Sequence, residues 1–432
     1  MTTTAPGRAT TGQTSVDLVV IGLGYVGLPL AFEACRNGLS VRGYDVAPAI
    51  VDGLNAGVSH IDDLSDADIQ TMRQAGFVAT SDPAVLDDAD TVVICVPTPL
   101  TVDGSPDLGA VQAAVADVAA HLHPGMLVVL ESTTYPGTTD EEVRPVLEAT
   151  GLVAGRDFNL AFSPERIDPG NPTFGVRNTP KVVGGQTPAC TQRVAEFYAK
   201  FVEQVVPVRG TREAEMAKLL ENTYRHVNIA LVNEMAKFCH ELGIDLWEVI
   251  RAASTKPFGY QPFYPGPGVG GHCIPIDPNY LSHQVRAKLG YPFRFVELAQ
   301  EINAGMPSYV LSRIIEALND DAKPLRGSRV LLLGVTYKAD IADQRESPAR
   351  PLARQLLDHG AVLTYHDPFV PAWAVNGTPL TRVDDPVAAA AQADLTVLLA
   401  AHRAYDLTAI ADASQRLLDT RGRVDHPHVQ RL

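Results

Sequence analysis

Largely apolar runs recur through the first half of the chain at residues 18–21, 91–96, 126–130 and 158–162, interrupted only by Thr91 and Asn159. A run that is apolar at every position predicts a strand buried on both faces, as in a parallel sheet flanked by helices. Each run ends in turn-forming or polar residues: Pro97-Thr98-Pro99, Glu131-Ser132-Thr133-Thr134 and Ser163-Pro164-Glu165-Arg166 follow the later three. The carboxyl ends of the strands of an open parallel sheet face its ligand crevice. Thr98, Thr133 and Glu165 are therefore candidates for ligand contact. A strand-end cap explains Thr98 equally well, whereas the loop holding Glu165 has no evident need of a carboxylate.

The first run leads into Gly22-Leu23-Gly24-Tyr25-Val26-Gly27, a helical stretch to Asn37 closed by Gly38, and a second strand ending at Asp45. This is a βαβ unit with a G-x-G-x-x-G turn and a carboxylate about twenty residues on, the arrangement that binds a dinucleotide. The glycines admit the pyrophosphate to a helix N-terminus, whose free N–H groups receive it. Asp45 would accept from the ribose hydroxyls and repel a 2′-phosphate. No basic residue stands in 46–51 to offset that repulsion, so NAD is expected over NADP.

The period changes to a helical one over residues 211–242, where Met216, Leu219, Leu220, Thr223, Val227, Ala230, Leu231, Glu234 and Met235 trace one long amphipathic helix. Lys218 and Asn222 are i,i+4 neighbours on it. On a solvated helix such a pair is unremarkable; a central position makes it a candidate for lining a site. A new buried strand is predicted over 326–333, a helix from Ser347 as N-cap and Pro348 as first residue to near Gly360, and strands at 361–366 and 395–400. At the turn matching the glycine-rich one, this second α/β unit carries Gly334-Val335-Thr336-Tyr337-Lys338. A nucleotide held there would rely on Lys338 for its phosphates. The fold class expected is α/β: two Rossmann-like, doubly wound domains joined by a central long-helix domain. The expected bounds are 1–15 for a disordered leader, 16–208, 209–310 and 320–432.

Composition narrows the partners. The chain has 432 residues, 46% hydrophobic and 20% charged, with a net charge of −15, the profile of a soluble globular protein. That charge argues against nucleic acid and anionic membranes, which reward basic patches. Five cysteines, at 35, 95, 190, 239 and 273, are odd in number and form no C-x-x-C pair. They point to a reducing, cytoplasmic compartment and to no metal site. The Thr-rich start lacks an apolar core and is no signal peptide.

Gly270-Gly271-His272-Cys273-Ile274-Pro275-Ile276-Asp277-Pro278 carries the sharpest chemistry. Its glycines leave room for a ligand and its prolines stiffen the chain, so that a thiol and a carboxylate are held four residues apart. A buried structural cysteine is the commoner reading of a lone thiol. The remainder of the chain favours a nucleophile.

Taken in order, Gly22 to Gly27, Val96-Pro97-Thr98-Pro99, Glu131-Ser132-Thr133, Ser163-Pro164-Glu165-Arg166, Lys218 with Asn222, Gly270-Gly271-His272-Cys273 with Asp277, and Tyr337-Lys338 with Arg345-Glu346-Ser347-Pro348 resemble the UDP-glucose/GDP-mannose dehydrogenase family over nearly the whole chain. The longer runs 131–139, 163–171 and 255–259, with His272, look like its UDP-N-acetylglucosamine 6-dehydrogenase branch, although UDP-N-acetylmannosamine enzymes share the His. The resemblance implies oxidation of a sugar C6 alcohol to a carboxylate with two NAD. In it Cys273 forms a thiohemiacetal and then a thioester, Lys218, Asn222 and Asp277 manage the alkoxide and a water, and Glu165 and Thr133 position the hydrolytic water. It places Gly22, Gly24, Tyr25, Val26, Gly27, Asp45, Pro97, Thr98, Thr133 and Arg345 at the cofactor. The UDP-sugar falls to Glu165, Arg166, Lys218, Asn222, Tyr264, Gly270 and Lys338, with Lys338 on its pyrophosphate. A homodimer through residues 211–303 is expected, because so long an apolar helix has more faces than one lobe covers. Two other readings compete: a two-domain hydroxyacid dehydrogenase, which needs neither Cys273 nor a second α/β unit, and a non-catalytic nucleotide-sugar or NAD-binding protein, which has no use for Cys273, Lys218, Asn222 and Asp277 together.

Overall fold

The computed structural model describes residues 16–101, 105–168, 171, 173–271, 274 and 276–432. The expected leader 1–15, His272 and the thiol of Cys273 lie outside the described residues. The chain divides into two compact units, Met1–Pro99 with Pro106–Lys218, and Leu100–Ser105 with Leu219–Leu432.

The first unit is built on strands β1 (Leu18–Ile21), β2 (Val41–Tyr44), β3 (Val78–Thr80), β4 (Thr91–Ile94), β5 (Leu127–Leu130), β6 (Asn159–Phe162), β7 (Lys181–Gly185) and β8 (Val205–Pro207). Helices α1 (Gly27–Arg36), α2 (Pro48–Ala56), α3 (Asp66–Gln74), α4 (Gly109–Ala120), α5 (Arg144–Glu148) and α6 (Pro188–Tyr198) connect them. The sheet order β3-β2-β1-β4-β5-β6-β7-β8 reverses direction between β1 and β4, the switch point where a doubly wound sheet opens a ligand crevice. Leu18 and Val20 enter one core while Val19 and Ile21 enter the other. This is the two-sided burial that the unbroken apolar runs require.

Two strands depart from the expected all-parallel sheet, since β7 pairs antiparallel with β6 and β8 pairs parallel with β7. The sequence of β7, Lys-Val-Val-Gly-Gly, gives no clear strand signal because packing takes the place of side chains. A Cβ on Gly184 would stand 2.0 Å from the Gly210 carbonyl, and one on Gly185 would stand 2.2 Å from the Thr191 nitrogen.

Helix α7 (Thr211–Glu241) begins at the edge of this unit and agrees with the predicted span. The buried carboxylate of Glu215, in its first turns, accepts from the Gly137 N–H at 2.5 Å, the Thr139 N–H at 2.9 Å and the Thr139 hydroxyl at 2.7 Å. It thereby ties down the chain that follows the Glu131-Ser132-Thr133-Thr134 strand end.

The second unit adds α8 (Leu246–Ala253), α9 (Asp277–Leu289), α10 (Arg294–Asp320), α11 (Ala349–Asp358), α12 (Pro386–Gln392) and α13 (Leu407–Ala413). Its strands are β9 (Arg329–Leu333), β10 (Val362–His366), β11 (Trp373–Val375), β12 (Thr378–Arg382), β13 (Leu395–Leu398), β14 (Leu417–Asp419) and β15 (Val429–Arg431), ordered β11-β12-β10-β9-β13-β14-β15. Helix α10 runs through the expected seam at 310–320. Pro307 lies inside it, and an internal proline reads as a breaker in sequence because it removes one backbone donor. Helix α11 starts at Ala349, with Pro348 as cap and Ser347 accepting from the Ala349 N–H at 3.3 Å. The helix thus begins one residue later than the Ser-Pro pattern suggested.

Removing the Glu215 carboxylate leaves two buried backbone donors without an acceptor. Glu215→Ala is expected to destabilise the fold by about 2–4 kcal/mol and Glu215→Gln by roughly half as much. Chemical denaturation of the two variants checks this; equal stability of Glu215→Ala and wild type would contradict it.

Candidate active site

In the first unit the three glycines of the β1–α1 turn differ in what surrounds them. Gly22 has φ +87°, and a Cβ there would stand 2.8 Å from the Cys95 carbonyl. A Cβ on Gly27 would stand 2.0 Å from the Gly22 carbonyl, so this position seats the helix against the strand. Around Gly24 no atom lies within 4 Å of a would-be Cβ. That opening adjoins the first turn of α1, where Val26 at the N-cap supplies no side-chain hydrogen bond to the helix donors. Uncapped N–H groups beside an open glycine form an anion seat. Asp45 anchors the same turn, accepting from the Leu23 N–H at 2.8 Å and the Ala47 N–H at 2.9 Å. Each of its oxygens retains a lone pair for a ribose hydroxyl. These residues fit NAD: Gly22, Gly24 and Gly27 would admit the pyrophosphate, half-exposed Tyr25 and Val26 would flank it, and Asp45 would meet the ribose.

Farther along the sheet, Pro97 is exposed, while Thr98 and Thr133 are half-buried. The neighbouring Thr134 is buried, and its hydroxyl has no partner among the described residues. A buried, unmated hydroxyl calls for an explanation such as a bound water or ligand, which makes Thr134 a site candidate that sequence reasoning passed over in favour of Thr133. Glu165 is buried and does have structural partners, contrary to the expectation for its loop. Its Oε1 accepts from the Ile167 N–H at 2.5 Å, and its Oε2 lies 3.6 Å from the Lys181 ammonium. Arg166 donates to the Pro180 carbonyl at 2.8 Å.

In the second unit Asp277 is the first residue of α9 and buried. Its Oδ2 accepts from the Asn222 side-chain amide at 2.5 Å. Two polar residues separated by 55 positions are thus joined, and Lys218, also buried, lies one turn before Asn222 on α7. Gly270 and Gly271 are needed for a reason other than ligand access. A Cβ on Gly270 would stand 2.6 Å from Tyr337, and one on Gly271, at φ +89°, would stand 2.9 Å from the same ring. The glycines let this loop lie flat on the segment that carries Lys338 and Arg345, and the Gly271 N–H donates to the Arg345 carbonyl at 3.1 Å. The Lys338 carbonyl accepts from the Thr336 hydroxyl at 2.8 Å, and the Arg345 guanidinium grips Asp343. Tyr264 is exposed and stacks on Trp247, with ring centroids 5.8 Å apart.

Arg421 was not singled out from the sequence. It follows β14, its Nε donates to the Leu399 carbonyl at 2.5 Å, and its Nη1 would stand 3.0 Å from a Cβ on Gly266. Burial pushes its guanidinium down to about 10, against the pull of Asp419. A cation so desolvated, close to the glycine loop, suits an anionic ligand. Among the described residues no cluster of three or more His, Cys, Asp or Glu could hold a metal, and no helix is long and apolar enough to cross a membrane.

The contrast between the glycines gives a direct test of the nucleotide seat. Gly24→Ala is expected to leave thermal stability unchanged and to weaken NAD binding at least about tenfold, because its methyl group occupies the open seat. Gly27→Ala is expected to lower stability instead. Calorimetric NAD titration beside thermal melts separates them, and wild-type NAD affinity in Gly24→Ala would contradict the assignment.

Comparison with known proteins agrees with this geometry in all parts of the chain. Family profiles match in order: the NAD binding domain of the UDP-glucose/GDP-mannose dehydrogenase family over residues 16–202, its central domain over 212–305 and its UDP binding domain over 331–426. A UDP-N-acetyl-D-mannosamine dehydrogenase of Yersinia pestis is 37% identical over 421 residues, covering 93% of this chain and 98% of the relative. A UDP-N-acetyl-D-glucosamine 6-dehydrogenase of Pseudomonas aeruginosa is 35% identical, covering 83% and 84% respectively. The solved structure of a UDP-D-ManNAc dehydrogenase from Pyrococcus horikoshii superposes with a TM-score of 0.86 at 31% identity, over 96% of this chain and 98% of that one. With a nucleotide seat built for NAD and all three family domains in sequence, this chain belongs to the UDP-glucose/GDP-mannose dehydrogenase family and is an NAD-dependent nucleotide-sugar dehydrogenase.

Proposed function

We propose that the chain oxidises the C6 hydroxyl of a UDP-N-acetylhexosamine, UDP-N-acetyl-D-glucosamine in the first place, to the 6-carboxylate. The observation that carries the reading is the bond between Asn222 and Asp277, 2.5 Å long, which unites the polar pair expected beside Cys273. In the first oxidation a proton leaves O6 and a hydride leaves C6, giving the aldehyde. The Cys273 thiolate then adds to the aldehyde carbon, and a proton delivered to the oxygen completes a thiohemiacetal. Loss of a second hydride and of that proton leaves a thioester. Water adds to the thioester carbonyl, gives one proton to Glu165 and expels the thiolate, and the carboxylic acid so formed loses its remaining proton to solvent to give the carboxylate. NAD, when bound, accepts the hydride in both oxidations.

Within this scheme the set of buried Lys218 and Asp277 with half-buried Asn222 steadies the alkoxide and orders a water. Glu165 and Thr133 hold the hydrolytic water. Pro97, Thr98, Thr133 and Arg345 complete the cofactor contacts begun by Gly22, Gly24, Tyr25, Val26, Gly27 and Asp45. Arg166, Tyr264 and Gly270 line the sugar nucleotide, and Lys338 holds its pyrophosphate. The runs 131–139 and 163–171 support the glucosamine epimer. UDP-N-acetylmannosamine is the second reading, favoured by the similarity to enzymes of Yersinia pestis and Escherichia coli that carry that name.

A cytoplasmic homodimer is part of the proposal. Leu220, Tyr224, Leu231 and Phe238 lie exposed along α7 at spacings of four and seven, with Phe295 and Leu298 exposed on α10. An apolar stripe of this kind on a helix is the usual mark of a partner surface. Light scattering at micromolar concentration is expected to give twice the chain mass, and Leu231→Glu with Phe238→Glu is expected to give monomers. A wild-type monomer would contradict this.

The substrate is tested by comparing kcat/KM for UDP-N-acetylglucosamine, UDP-N-acetylmannosamine and UDP-glucose, with the first expected highest. A higher value for the second would transfer the assignment to that epimer. Cys273→Ser is expected to stall as a slowly hydrolysed ester, visible as added mass on the intact protein, while Cys273→Ala acquires no mass. Turnover of Cys273→Ala at the wild-type rate would sink the covalent scheme.

A further inference from the structure

A buried ammonium sits beneath the carboxyl ends of the first unit's central strands, and the proposed reaction does not yet use it. Lys181, the first residue of β7, is buried with its Nζ 2.9 Å from Glu131 Oε1 and 3.6 Å from Glu165 Oε2. Glu131 follows β5 and is also buried; its Oε1 accepts from the hydroxyl of Tyr198, the last residue of α6. The Cys95 thiol, just after β4, lies 3.9 Å from Glu131 Oε2. Lys181 also lies 5.2 Å from the centre of the Tyr198 ring. Thus one ammonium serves two carboxylates, and Cys95 and Tyr198 are the other titratable groups that face them.

The two contacts of Lys181 are unequal, and the inequality is informative. Glu131 is wholly enclosed, holds Lys181 closely and is itself held by Tyr198. Glu131 meets one of the ammonium's three donors, and the Glu165 carboxylate stands as a second anionic partner 3.6 Å away. A buried ion pair also confers little stability over an apolar replacement. Glu165 is the looser partner and, with a side chain 10% exposed against 0% for Glu131, the more accessible carboxylate of the two. Its Oε1 is aimed by the Ile167 N–H and its Oε2 by Lys181. Burial alone would lower the Lys181 pKa, yet the two carboxylates hold it above the usual lysine value, so the cation persists.

We infer that Lys181, anchored on Glu131, is the positioning residue of Glu165: it fixes the carboxylate's orientation and sets a positive charge beside it where it draws the proton from the water that hydrolyses the acyl-enzyme. This role rests on the reaction proposed above. A cation beside a carboxylate favours its charged form. Removing it leaves Glu165 facing only the like charge of Glu131.

The test is the pH dependence of acyl-enzyme decay in single turnovers, followed by quenching and intact-protein mass measurement. Lys181→Met is expected to move the acid limb of the decay rate up by about one unit or more and to accumulate acyl-enzyme below it. Lys181→Arg is expected to keep the wild-type limb. Glu131→Gln leaves the ammonium to Glu165 alone and is expected to move the limb down, which supplies the decisive comparison should Lys181→Met fail to fold. A purely structural role would lower melting temperature without moving the limb. Absence of acyl-enzyme in the wild type overturns the reaction and this role with it. Acyl-enzyme that decays with an unmoved limb in Glu131→Gln and in any folded Lys181→Met overturns the role of Lys181 alone.

Discussion

One lysine ammonium, buried among the ends of five elements, sets the terms for the first unit's catalytic edge. Cys95 follows β4, Glu131 follows β5, Glu165 follows β6, Lys181 opens β7 and Tyr198 closes α6. Carboxylates at the ends of adjacent strands repel one another unless a cation stands between them. The antiparallel strand β7 delivers that cation, because its direction brings its first residue, not its last, to the carboxyl ends of the others. The glycines that close β7 allow α6 and the start of α7 to pack on it. The reversed direction of β7 therefore has an electrostatic consequence for the neighbouring strand ends.

The two sheets share a second constraint. In the first, Asp45 after β2 accepts the Leu23 N–H from the turn after β1 at 2.8 Å. In the other, Asp367 after β10 accepts the Val335 N–H from the turn after β9 at 2.7 Å. A carboxylate on one strand end thus shapes the neighbouring turn in both units. The uses diverge from there. Asp45 stays half-exposed with lone pairs to offer a ribose, whereas Asp367 is fully buried and takes His402 as partner at 3.0 Å. Asp367 consequently has a structural role.

What could be read in the sequence was whatever has a fixed period or a fixed local geometry. The apolar runs gave the central strands, the glycine spacing with Asp45 gave the nucleotide turn, and the long helical period gave α7 within a residue of its end. The Asn222–Asp277 pairing was anticipated as a set, but only the fold could bring residues on two helices into contact. Several features were out of reach for physical reasons. Pro307 masks α10, since a proline within a helix resembles its end. Lys181 belongs to a short strand whose glycines erase the apolar pattern. Thr134 is distinguished from Thr133 by burial, which adjacent threonines cannot reveal. Gly270 and Gly271 read as room for a ligand, whereas their packing against Tyr337, a residue distant in sequence, is a second requirement that only the fold reveals.

The account turns on oxidation proceeding past the aldehyde without its release, which requires the Cys273 thioester and the water-activating arrangement of Glu165 and Lys181. The most direct measurement is the number of NADH formed per UDP-sugar consumed, counted by absorbance against the sugar acid by mass spectrometry, with an aldehyde trap present. The account predicts two NADH per sugar, the 6-carboxylate as sole product and no trapped aldehyde; one NADH per sugar with aldehyde in the trap would contradict it.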